Sequence, residues 1–386
     1  MSEQTIDGIA SRSVLTDSQL DALSKLRRPD EAHVPKLNAR RPASIYTSPE
    51  RFEQERARIF SQVPLAITVS AILPEPGMAM PIDGFGIPLL VTRDRKGTVR
   101  VFLNGCRHRG SRLLEGCEAV RAGRVTCPYH AWTFGLDGSL IGVPRQETFP
   151  GLDRSSLGLI ELTSYEAGGI IWACLDPQVK APMVPGSDQV AAELDAFGVG
   201  GRYMYRRQTY DLPANWKLVY EPFLEGYHVQ RLHANSIAPL FVDVAPVMRK
   251  IGDHIGQTSG NANFDPSILD RLHKHVTHTY QLFPNLIFIS SPYYMSVMIL
   301  MPRSEGRTVL DYYMLVKNAP DSEKAEDLYA RSFKLAMAVF GGEDYRASTL
   351  QQEALAANLI PEVFYGGLEQ AIIPFHEQIE TYLERG

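Results

Sequence analysis

The stretch CRHRGSRLLEGCEAVRAGRVTCPYHAW, from Cys106 to Trp132, constrains this chain more than any other. It holds two short arms, Cys106-Arg-His108 and Cys127-Pro-Tyr-His130, each offering one sulfur and one imidazole. A thiolate and an imidazole two or three residues apart on a tight loop can both face one metal, so two such loops supply four ligands. Zinc accepts sets of this kind. Common zinc fingers, however, place two cysteines in one arm and two histidines in the other, and here each arm is mixed.

Mixed arms suit a Rieske [2Fe–2S] cluster, whose two irons need different surroundings: two thiolates on one and two imidazoles on the other. Neutral imidazoles leave such a cluster less negative, so it accepts an electron more readily. Cys117, between the arms, and Cys174, in an apolar run, read as ordinary residues.

Four cysteines in 386 residues do not make a disulfide scaffold, and they favour a reducing cytoplasm. A formal net charge of −5 argues against a nucleic-acid binder. The N-terminal stretch MSEQTIDGIASRSVL lacks a cationic start followed by an apolar run, and no segment approaches the roughly 18 apolar residues of a membrane span. The expectation is a soluble cytoplasmic protein without a membrane partner.

Residues 1–43 read as a polar N-terminal extension with helical stretches such as DSQLDALSKL, ending in the linker HVPKLNARRPAS. Residues 44–165 read as a small all-β domain. It opens with a helix in SPERFEQERARIF, capped by Ser48, and continues in short strands turned at Lys96-Gly97 and Asp137-Gly138. Residues 166–386 read as an α+β catalytic domain with an antiparallel sheet and helices, including helices near 322–340, 344–358 and 367–384. The fold class is therefore α+β, with NWKLVYEPFLEGYHVQRLHANS (215–236) as a helix interrupted near Pro222.

That helix carries the second constellation. At about 100° per residue, with Glu225 at zero, His228 falls near −60° and His233 near +80°, so all three share a face. Two neutral imidazoles and a carboxylate with open positions bind non-haem Fe(II) for oxygen activation. Glu225 is either an iron ligand or the partner that orients His228 through its other ring nitrogen. The bland alternative is a solvated face. His33, His254, His273, His275, His278 and His376 lack such a pattern, and HKHVTH (273–278) reads as surface histidines.

Both constellations, in this order, resemble the oxygenase (alpha) subunit of Rieske non-haem iron oxygenases, a family of aromatic-ring-hydroxylating dioxygenases and Rieske monooxygenase-dealkylases. The likeness spans about residues 41–384, through IYTSPERFEQERARIF, FLNGCRHRGSRL, CPYHAWTFGLDGSLIGVP, NWKLVYEPFLEGYH, LFPNL and GGEDYRASTLQQEAL. The resemblance implies that Cys106, His108, Cys127 and His130 hold the cluster. His228 and His233 would hold the mononuclear iron with Asp344, Glu343 being the fallback. Glu225 would be the bridging carboxylate between the iron of one subunit and the cluster of its neighbour in a homotrimer, with or without a small β subunit. Two departures stand out: glutamate rather than aspartate at 225, and Pro222 where many relatives have asparagine.

The chemistry so implied needs O2 and electrons delivered one at a time. No GxGxxG stretch follows a strand, so NAD(P)H would act only indirectly, through a ferredoxin or a ferredoxin reductase. The substrate is expected to be a small apolar, aromatic organic molecule, with monooxygenation or N- or O-dealkylation preferred over ring dihydroxylation. Its pocket is expected around Phe223 and Leu224, the run IAPLFVDV and the strands at 282–300.

Overall fold

The computed structural model describes residues 15–27, 35–262, 264 and 275–385. His33 and His273 lie outside them. Two compact units emerge, one of Phe60–Met183 and one of Met1–Ile59 with Val184–Gly386.

The smaller unit is built from antiparallel strands. A five-stranded sheet runs in the order Glu161–Leu162, Val99–Leu103, Leu89–Arg93, Met78–Ile82, Val120–Arg121. Its central hairpin pairs Arg93 with Val99 around the Lys96-Gly97 turn. A three-stranded sheet joins Val125–Thr126, Thr133–Phe134 and Leu140–Gly142. Another joins Ser164–Ala167, Ile170–Ala173 and Leu65–Val69. Phe102, Trp132, Phe134 and Leu90 form a core that also takes in Cys106 and Cys127.

The larger unit centres on a seven-stranded antiparallel sheet. Its order is Tyr203–Leu212, Arg307–Val316, Met295–Ser304, Leu286–Ser290, Val276–Leu282, His254–Gly260, Val247–Ile251. From Met295 to Met301 every side chain on the third strand is buried, which requires cover on both faces. Helices Ser187–Ala196, Glu323–Ala336, Tyr345–Ala356 and Ile372–Glu384 accompany the sheet. The chain is thus α+β with antiparallel sheets.

The unit boundaries differ from those read in the sequence. The hairpin 164–173 belongs to the small unit, because Ile170–Ala173 pairs with Leu65–Val69. Residues 44–59 belong to the larger one. Arg51 forks onto Glu380 at 2.7 and 2.9 Å, while buried Glu55 binds Lys217 Nζ at 2.7 Å and accepts from Trp216 Nε1 at 2.8 Å. Both Glu55 and Lys217 side chains are fully buried, so removing either partner strands a charge. Within the linker, Ala39–Pro42 is a strand paired with Glu362–Tyr365. Among the described residues no helix is long and apolar enough to cross a membrane.

Candidate metal centres

In the small unit the two arms fold as near copies. Each cysteine N–H donates to the carbonyl five residues on, Cys106 to Ser111 and Cys127 to Trp132, both at 2.8 Å. Each cysteine carbonyl accepts from the residue four on, Gly110 at 2.9 Å and Ala131 at 3.0 Å. That fourth residue is left-handed in both loops, with φ of 75° at Gly110 and 57° at Ala131. Glycine takes this conformation freely and alanine does not, so the second loop stores strain at its tip.

The loops bring their side chains together. The His108 and His130 ring centroids are 4.7 Å apart, and His108 stacks on Trp132 at 4.9 Å. His108 Nδ1 is buried without a hydrogen-bond partner. Desolvation first, then His130 and Arg109, holds the His108 imidazole below its ordinary pKa, in the neutral form that metal ligation needs. Burial pushes the Cys106 thiol up. Burial acts the same way on Cys127, but the N–H groups of His130 and Tyr129 outweigh it and bring that thiol down. Two sulfurs and two imidazoles, one ring nitrogen orphaned, fit a mixed-ligand two-iron cluster.

In the larger unit the helix read over 215–236 is broken. Asn215 caps Trp216–Tyr220, its Oδ1 accepting from Lys217 N–H at 3.0 Å. Glu221–Leu224 tightens to a 3₁₀ turn around Pro222, and Glu225 is extended (φ −143°, ψ 164°). The freed Phe223 carbonyl is satisfied by Gln257 Nε2 at 2.9 Å and by Gln281 Nε2. One helical turn, Val229–Leu232, then has His228 at its N-cap and His233 at its C-cap. The shared-face geometry computed for a regular helix therefore does not apply. Glu225 instead folds back, accepting from the N–H groups of Tyr227 and His228 and meeting His228 Nδ1.

Asp344 comes from 111 residues beyond His233, at the end of a π-helical stretch, Met337–Asp344, between the helices Glu323–Ala336 and Tyr345–Ala356. Such wide turns often mark functional sites. Gly341 in it passes so close to Tyr210 that a Cβ would lie 2.8 Å from the phenol oxygen. Asp344 Oδ1 lies 3.2 Å from His233 Nε2 and 3.6 Å from His228 Nε2. It is buried and has no hydrogen-bond partner. One ligand atom from each of the three residues falls within 4.8 Å of the others, a donor set that fits a metal ion.

Glu343, the fallback ligand, has another place. Its Oε2 meets His233 Nδ1 at 2.5 Å and accepts from Ser236 Oγ at 2.8 Å. Each histidine thus gives Nδ1 to a carboxylate and leaves Nε2 for the site. Burial lowers the His233 pKa, but Asp344 and Glu343 outweigh it and hold the ring above its ordinary value. Glu343 is held low by His233 and Ser236 against a desolvation that would raise it. HKHVTH departs from the surface reading: His278 is buried in Val276–Leu282, its Nδ1 3.2 Å from Thr258 Oγ1. His254 and His376 are buried too, beside Ser187 and Glu221.

A cavity of about 390 Å³ opens onto His228, His233 and Asp344. Phe223, Ile237, Phe241, Val242 and Val244 line it, as the sequence suggested; Leu224 does not, and the strands at 282–300 contribute only Ile289. Val339, Phe340 and the strand segment 257–260 complete much of the wall.

Two family models match this chain: the Rieske [2Fe-2S] domain over residues 65–165 and the ring hydroxylating alpha subunit (catalytic domain) over 202–385. The chain belongs to the Rieske non-haem iron oxygenases. Cofactors of this family are the Rieske [2Fe–2S] cluster and a mononuclear iron, with O2 as co-substrate. Among its relatives, this Rieske oxygenase chain is 26% identical over 294 residues to choline monooxygenase, chloroplastic, of Spinacia oleracea, covering 74% of this chain and 64% of that one. It is 31% identical over 225 residues to biphenyl 2,3-dioxygenase subunit alpha of Rhodococcus jostii (strain RHA1), covering 55% and 49%. The chain thus spans about half to just under two thirds of these curated relatives. A quaternary ammonium Rieske monooxygenase solved with L-carnitine has the same fold, with a TM-score of 0.76 at 22% identity over 93% of this chain and 99% of that one.

Proposed function

We propose that this chain is the oxygenase component of a multi-protein system that inserts oxygen into a C–H bond of a small organic substrate. The observation that carries this reading is the pair of Nε2 atoms beside the buried, unpartnered Oδ1 of Asp344 at the edge of a largely apolar cavity. Cys106, His108, Cys127 and His130 hold the cluster, and His228, His233 and Asp344 hold the iron. When bound, the cluster stores single electrons and the iron binds and reduces O2.

The chain's residues do the rest. Glu225 and Glu343 fix the tautomers of the two histidines and keep both Nε2 atoms on the metal. The apolar wall keeps water from the reacting carbon. The reaction balances as substrate, O2, two electrons and two protons giving hydroxylated product and water, so a ferredoxin or reductase must feed the centre.

Homotrimerisation is part of the proposal. Glu225 lines the substrate cavity and also a second, outward concavity with Tyr46, Glu221, Tyr365 and Glu369. Exposed Phe364 and Ile360 line the same concavity. An acidic concavity with an apolar rim suits the loop tip of a second copy, where Tyr129 and His130 are exposed. Glu225 would then link that copy's cluster histidine to His228.

Monooxygenation at a carbon bonded to nitrogen or oxygen is the preferred reaction. Phe223, Phe241, Phe264 and Phe340 line the cavity. Their faces accept an aromatic ring or, through cation–π contact, a quaternary ammonium group. Choline and carnitine monooxygenases among the relatives support the second. Cis-dihydroxylation with a β subunit is the alternative, supported by the biphenyl and naphthalene dioxygenase relatives. The test is turnover of N-methyl, O-methyl and aromatic probes with a ferredoxin and its reductase. Formaldehyde formed one-to-one with O2 consumed supports monooxygenation; a cis-diol supports the alternative; reductant oxidation with no organic product contradicts both.

A further inference from the structure

Part of the substrate cavity is walled by Lys25, Leu26, Arg27 and Pro35, which neither family model covers. The helix Asp17–Ser24 brings the first three there. Thr16 and Gln19 close its N-terminus reciprocally, Gln19 N–H reaching Thr16 Oγ1 and Thr16 N–H reaching Gln19 Oε1. Fully buried Gln19 also donates to Tyr280 OH at 3.0 Å, and Ser18 Oγ accepts from Arg249, which pairs with buried Glu193 at 2.8 Å. The helix is therefore pinned to the sheet. Its end presents a buried Leu26 between two exposed cations.

The charges around the cavity are unevenly placed. Apart from histidines, the charged side chains lining it are Glu225, Asp344, Lys25 and Arg27. Glu225 is taken by His228, and Asp344 sits between the two imidazoles. Lys25 leans on Asp21 at 2.6 Å, an exposed pair that water weakens. Arg27 donates to the Ser24 and Leu26 carbonyls at 2.9 and 3.0 Å and has no carboxylate partner among the described residues. A guanidinium with free donors is suited to a carboxylate, which it can grip with two parallel bonds.

We propose that this N-terminal segment is a specificity element, with Lys25 and Arg27 selecting substrates that carry a carboxylate besides the carbon to be oxidised. This rests on the oxygenase reading in taking the cavity as the substrate site. The holoenzyme should be titrated calorimetrically with two acid and ester pairs, γ-butyrobetaine with its methyl ester and 4-methoxybenzoate with its methyl ester. In at least one pair the acid should bind about tenfold tighter than the ester, the scale of two exposed charge contacts. K25E/R27E should erase or invert that preference. Leu26→Ala, in the same segment but uncharged, should change affinity for acid and ester alike. Equal affinity within both pairs, no binding of either acid, or a preference that survives charge reversal would overturn the inference. Absence of substrate-dependent O2 uptake with an intact acid preference would instead count against the oxygenase reading alone.

Discussion

The two candidate centres are built in opposite ways. In the small unit, four donors lie within 25 residues, on two loops that repeat the same backbone bonds. In the larger unit, two histidines bracket one helical turn and their third partner arrives 111 residues later from a π-helical stretch. A local centre depends on loop geometry. A dispersed one depends on the core that holds distant elements in register, and on carboxylates that aim each ring.

The sharpest break of this comparison is removal of a donor. Cys127→Ser should cost the cluster and its colour while leaving the iron of the larger unit in place, with turnover falling by more than the roughly 10–100-fold that loss of an outer-sphere partner typically costs. Retained Rieske absorption in that variant would contradict the assignment. Next come the aiming carboxylates. Glu343→Gln should lower iron affinity or turnover by about 10–100-fold, and Glu225→Gln should keep both metals but slow turnover over the same range. Metal analysis beside steady-state rates separates the two, and normal rates in both would remove the aiming role.

Acid should distinguish the units. His254 and His278 are buried neutral, their pKa lowered to about 4 from 6.5 by desolvation. Between those values the unfolded chain binds more protons, so their contribution is intact above about pH 6.5 and is lost as pH falls towards 4. Each corresponds to about 3 kcal/mol at the limit. Urea midpoints of the larger unit should drop across that window, and His278→Asn should flatten the dependence; a midpoint constant from pH 7 to 4 would contradict it. The smallest effect probes the paired loops. Gly110→Ala should destabilise the small unit by about 1 kcal/mol, and Ala131→Gly should stabilise it by up to about 1 kcal/mol, both read as shifts in thermal midpoint. Shifts of the same sign would show that the loops are not equivalent.

Legibility follows the same division. The arms could be read because ligand spacing on a tight turn is a property of a few neighbouring residues. The antiparallel α+β character was also visible in the turn dipeptides and alternating runs. The helix at 215–236 was misjudged because Pro222 does more than interrupt it: the chain leaves helix altogether at Glu225, and two distant glutamines, Gln257 and Gln281, satisfy the carbonyl that results. Asp344 follows from family resemblance alone, and the sequence does not separate it from Glu343, whose carboxylate serves His233 instead. The boundary read at 165/166 cuts through the hairpin 164–173, because the pairing of Ile170–Ala173 with Leu65–Val69 is a long-range choice. Nothing in DSQLDALSKL announced a cavity wall, since that role depends on Gln19 reaching Tyr280 across 261 positions.

The most direct test of two separate centres is iron and acid-labile sulfide content, with a visible spectrum, of the wild type and of Asp344→Ala purified anaerobically. About three irons and about two sulfides per chain in the wild type, falling to about two irons with sulfide and spectrum unchanged in the variant, is the predicted result. Loss of sulfide on changing Asp344, or retention of the third iron, would contradict it.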